Sequence, residues 1–90
     1  MPPPTAAPDD WRRQGQERHL LGATLAWRAY QPPSAQWDLD HCQFCGAKFS
    51  PRPGDLASGY CTLQGDRWVC ETCVADFRQE FRWALLGGPR

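Results

Sequence analysis

Two Cys-x-x-Cys pairs, Cys42-Gln43-Phe44-Cys45 and Cys70-Glu71-Thr72-Cys73, constrain what this chain can fold into more than any other feature; the 24 residues 46–69 separate them. Two intervening residues let both sulfurs of one turn reach a single ion at about 2.3 Å, and a second pair completes the tetrahedron that zinc accepts. Gly46, directly after Cys45, suits a tight turn whose backbone amides approach sulfur. Four thiolates make a closed shell with no position left for an activated water, so the zinc they imply is structural. Two disulfides, an iron centre or a redox-active pair are the competing readings of the same spacing. His41 abuts Cys42 and reads as a surface or outer neighbour of the site, while Cys61, the fifth cysteine, reads as a buried apolar thiol sharing a strand face with Leu63.

The need for a staple follows from size. Ninety residues with eight glycines and nine prolines are loop-rich and bury too little apolar surface for a comfortable margin of stability. One small core is all such a chain can build. Ten basic residues balance ten acidic ones, which argues against a broadly basic nucleic-acid binder. Counting four thiolates and one divalent zinc instead of four neutral thiols moves the net charge to about minus two, a mildly acidic domain. The start, Met1 to Asp10, lacks the basic and apolar regions of a secretory signal, and no apolar run approaches a membrane span. The expected setting is cytoplasmic, where reduced thiols favour metal over disulfides.

Residues 1–18 read as a flexible arm, Pro-rich through Pro2, Pro3, Pro4 and Pro8 and then polar, with Trp11 its only large apolar group. Residues 19–90 read as a single zinc-binding domain. Alternation of Leu21, Ala23, Leu25, Trp27 and Ala29 with their neighbours predicts a strand over 19–30, although Leu21 and Leu25 also fit a helix; Pro32 and Pro33 end either. Ser50 to Asp55 is dense in turn formers, so 47–58 reads as a loop. Tyr60–Leu63 and Arg67–Cys70 flank a glycine turn and predict a β-hairpin. Val74, Phe77, Phe81 and Leu85 lie on one face of a helix over 71–86, which Gly87, Gly88 and Pro89 stop. The fold class is therefore α+β: knuckle, hairpin and ligand-bearing terminal helix in treble-clef order, with an added N-terminal strand. Cys70 and Cys73 at the helix start gain from the positive end of its dipole, which favours thiolates.

Catalysis is not expected. Treble-clef nucleases need a hairpin histidine and helix-borne His or Asn, and neither Tyr60–Cys70 nor Glu71–Leu86 supplies one. DNA-binding treble clefs use a basic helix, whereas this one sets three acids against two arginines, so nucleic acid is not the expected partner. What remains is a rigid interaction module. Eleven aromatics exceed what so small a core hides. Trp83, off the apolar helix face, is read as either an interface anchor or a cap on the core. Trp37 with Asp38 and Asp40 just after it, together with Arg78 on the helix, completes the candidate partner-binding set.

The run from His19 to Trp83, with LLGATL, WDLDHCQFCGAKF and GYCTLQGDRWVCETCVADFRQEFRW, resembles a family of small bacterial proteins carrying WDHDHCEFC and then WVCEECFxDFKxxFxW. Cys42, Cys45, Cys70 and Cys73 match its cysteines. Trp37, Asp38, Asp40, His41, Asp76, Phe77, Phe81 and Trp83 match its other marked positions, and Leu39 departs from its histidine. Members commonly stand beside polymorphic toxin genes. The resemblance thus implies an immunity protein that binds a cognate toxin domain and occludes its active site; a generic zinc-stabilised adaptor is the alternative.

Overall fold

The chain is described here by a computed structural model covering residues 6–7, 9–32, 34 and 36–89; Pro2, Pro3, Pro4, Pro8 and Pro33 lie outside the described residues. The strands are Thr24–Ala29 (β1), Asp40–His41 (β2), Lys48–Phe49 (β3), Ser58–Thr62 (β4), Trp68–Val69 (β5) and Ala84–Leu86 (β6), and the helices Glu17–Leu20 (α1) and Glu71–Phe81 (α2). Four strands form a sheet in the order β5-β4-β1-β6, and β2 pairs with β3 separately. Together with the helices they make a small α+β structure.

β1 is central because its residues pack on both faces of the sheet: Leu25 is fully buried and its neighbour Ala26, pointing the other way, is buried too. The strand starts at Thr24 and not at His19, since Glu17–Leu20 forms a helical turn first. Its antiparallel partner β4 sets Leu25 opposite Thr62 and Trp27 opposite Tyr60, whose rings meet edge to face at 5.0 Å. β4 and β5 are the hairpin expected from sequence. Gly65 takes φ +81 in the turn, and its amide donates to the Thr62 carbonyl at 2.8 Å. Cys61 is buried as expected, and burial raises its pKa. Leu63 lies past the strand and is exposed. The expected loop 47–58 is interrupted at its start, because Lys48–Phe49 pairs with Asp40–His41 and brings Phe49 into the core.

The largest departure from the sequence reading is the end of α2. The apolar period runs on to Leu85, yet the helix ends at Phe81, and Gly87, Gly88 and Pro89 do not terminate it. Arg82 adopts a left-handed conformation, φ 58 and ψ 43. Its amide donates to the Gln79 carbonyl at 3.3 Å and the Trp83 amide to the Arg78 carbonyl at 3.1 Å, the paired bonds of a Schellman stop. Leu85 consequently sits in β6, parallel to β1 and opposite Leu25. The reversal has a packing reason. On a continuing helix Trp83 would lie off the Val74, Phe77 and Phe81 face, whereas here it is buried and its indole Nε1 donates to the Leu20 carbonyl at 2.7 Å.

A left-handed arginine carries the steric cost that glycine avoids. Arg82→Gly is therefore expected to stabilise the domain by about 0.5–1 kcal/mol. A rise in the urea midpoint with an unchanged slope is the expected readout.

Candidate metal centre

Each half of the centre is built by a different part of the fold. Cys42 and Cys45 sit on a turn closed by the Gly46 amide donating to the Cys42 carbonyl at 3.0 Å, with the Cys42 amide donating to Ala47 at 2.8 Å. Gly46 takes φ +80 there, the conformation expected of it. Cys70 and Cys73 straddle the start of α2, with Cys70 at the N-cap. The halves are stitched through β5: the Gln43 amide donates to the Trp68 carbonyl at 2.9 Å, two residues before Cys70. The Cys70 amide in turn donates to Cys42 Sγ at 3.3 Å.

The result is a cluster in which the four sulfurs all lie within 4.8 Å of one another. Cys45 Sγ and Cys70 Sγ are 3.6 Å apart, well beyond the roughly 2.05 Å of a disulfide bond. Four sulfurs at about 2.3 Å from one zinc ion stand roughly 3.8 Å apart at the edges of their tetrahedron. The cluster fits that ion. Crowding also makes the thiols costly to charge together. Hydrogen bonds from Cys70 and Cys73 hold the Cys42 thiol far below its ordinary range. Its contact with Cys42 pushes Cys70 up to about 11, and contacts with Cys42 and Cys70 push Cys73 higher still. Such crowded sulfurs cannot all ionise without a cation among them. Cys42, Cys70 and Cys73 are buried and Cys45 is exposed, so one vertex faces solvent.

An aromatic wall backs the cluster. Phe44, between the first two cysteines, meets Phe77 at 4.8 Å, Phe81 at 5.3 Å and Trp83 at 5.4 Å. Trp83, read from sequence as either an interface anchor or a cap on the core, is a core residue at 4% exposure and leaves the partner-binding set. The large exposed aromatics among the described residues are Trp11 and Trp37. Trp37, Asp38 and Asp40 do come together, lining one open depression of about 420 Å³ with His41. Trp37 and Asp40 also border a second, of about 270 Å³, with Asp66. Arg78 lies on the exposed side of α2 and lines neither.

Sequence reasoning missed the residues of the N-terminal segment that reach this centre. Of residues 1–18, the described ones from Asp9 onward carry a 3-10 turn at Trp11–Arg13, capped by Asp10. Arg12 Nη1 donates to Cys73 Sγ at 3.5 Å, and Gln16 Nε2 donates to the Gln43 carbonyl at 2.7 Å. Nothing in the local sequence marks a polar residue for a contact 61 positions away.

No protein-family model matches the chain, and no curated protein or solved structure matches it. The likeness to the toxin-associated family accordingly rests on the motifs quoted above. No helix among the described residues is long and apolar enough to cross a membrane.

Proposed function

We propose that the protein is a zinc-stapled interaction domain of treble-clef type that acts as an immunity protein, binding a cognate toxin domain and covering its active site. The observation that carries the metal part is the convergence of four thiols within 4.8 Å on a shell with no open vertex, which suits a structural and not a catalytic ion. The knuckle, hairpin and helix-borne second pair follow the treble-clef order. The immunity part is supported by the sequence likeness and by the character of the surface around Trp37.

That surface combines an aromatic anchor with fixed negative charge. Trp37 is 59% exposed. Asp38 is held by Arg52 at 2.6 Å, Asp40 accepts from the Tyr30 hydroxyl at 2.8 Å, and Asp66 accepts from the Thr62 hydroxyl at 2.7 Å. Among the described residues, no lysine or arginine lines either depression. Toxin domains that act on nucleic acids or nucleotides present basic clefts, and a pre-set acidic aromatic face complements such a cleft in orientation and association rate. A guanidinium laid on Trp37 would share its two depressions with Asp40 and Asp66.

The test is a pull-down of the neighbouring gene's product, followed by co-expression of the two. A stable complex and relief of toxicity are expected; the absence of any complex would sink the immunity reading. Trp37→Ala should weaken the complex by about thirtyfold, as expected of a central aromatic anchor worth roughly 2 kcal/mol. Because Trp37 is largely exposed, thermal stability should stay unchanged.

A further inference from the structure

We infer that Arg12 is a functional part of the metal centre and that residues 10–16 form a strap whose docking is thermodynamically linked to metal binding. The inference rests on the zinc reading above and goes beyond it.

Arg12 is held at the cluster from several sides. Its guanidinium meets Asp10 at 2.7 Å and Asp76 at 3.0 Å, donates to Cys73 Sγ at 3.5 Å, and lies over the Phe77 ring at 4.7 Å. Asp10 both caps the turn through the Arg12 amide at 3.0 Å and orients the Arg12 side chain, so the strap presents its guanidinium already aimed. Farther along, Gln16 ties the same strap to the first knuckle through the Gln43 carbonyl. Arg13 pairs with Glu80 on α2 at 2.7 Å. The strap therefore grips both halves of the cysteine cluster, the knuckle through Gln16 and the helix through Arg12 and Arg13.

The chemistry of the Arg12 contact makes its strength depend on the metal. A neutral thiol is a weak hydrogen-bond acceptor, whereas a metal-bound thiolate accepts a charge-assisted bond from a guanidinium that stays protonated at any working pH. Metal coordination requires Cys73 as thiolate. Docking of the strap must consequently strengthen metal binding by the same factor as metal binding strengthens docking. Charge balance adds to this. Zinc with four thiolates is dianionic, and the Arg12 guanidinium at Cys73 Sγ brings a positive charge against that centre.

The test uses the full chain loaded with Zn²⁺ and follows zinc loss to a chromogenic chelator. Arg12→Ala should release zinc about ten- to a hundredfold faster, the usual cost of losing a partner that orients a ligand, and Arg12→Lys should recover part of the difference. In the Co²⁺-loaded protein, Arg12→Ala should also shift the sulfur-to-cobalt charge-transfer bands, which simple loss of packing on Phe77 would not move. Unchanged release and unchanged bands in an Arg12→Ala chain that still binds one metal would overturn the inference while leaving the zinc site intact. A wild-type chain that takes up neither Zn²⁺ nor Co²⁺ overturns the zinc reading, and this inference with it.

Discussion

Replacing Cys70 with serine should leave the chain without a cooperative thermal transition, and a strong chelator should do the same to the wild type. Cys70 occupies the junction of β5 and α2, where one residue supplies a ligand, the helix N-cap and an amide bonded to Cys42 Sγ. Structural zinc in small domains contributes about 10–16 kcal/mol of apparent binding free energy. A whole domain is stable by roughly 5–15 kcal/mol, so loss of the ion removes an amount comparable to everything a chain of 90 residues holds in reserve. The measurement is near-ultraviolet circular dichroism on heating, with and without chelator. A melt that keeps its midpoint and sharpness in the Cys70→Ser chain would show that the cluster does not hold the fold together.

The second large effect belongs to the aromatic wall. Phe77 is fully buried, packed against Phe44 at 4.8 Å and Phe81 at 6.1 Å and roofed by Arg12. Phe77→Ala should cost about 3–5 kcal/mol, through lost apolar burial and the cavity left behind. For a domain of this size that corresponds to a fall in Tm on the order of 20 °C in the metal-loaded protein. A fall below about 5 °C would mean that the site collapses freely and that the metal, not the wall, supplies nearly all the rigidity. The same substitution also removes the ring beneath the Arg12 guanidinium, so it should couple with Arg12→Ala and not add to it.

What could be read from sequence was whatever has a local cause. The cysteine pairs announce themselves because ligand spacing is fixed by the reach of one turn, and Gly46 and Gly65 mark left-handed positions that the structure does use. The hairpin and the start of α2 follow from turn chemistry and apolar period in the same way. The end of α2 was hidden because Arg82 takes the place a glycine usually fills, while Leu85 keeps the helical period by coincidence and serves the sheet instead. The choice between the two readings of Trp83 was hidden for the same reason: once the chain turns into β6, the ring lies on the wall beside Phe44, the core reading, and not on an open helix face. The strap was invisible because its determinants are polar side chains meeting partners 61 and 67 residues away, which no window of sequence contains.

The zinc staple is the claim on which the stability, the negative charge of the domain and the role of Arg12 all depend. Elemental analysis of the chain purified without added metal, paired with its intact mass, tests it most directly. One zinc per chain, with the mass of the fully reduced polypeptide after acid release of the ion, is the predicted result. A folded chain with no bound metal, or one lighter by the four hydrogens of two disulfides, would contradict it.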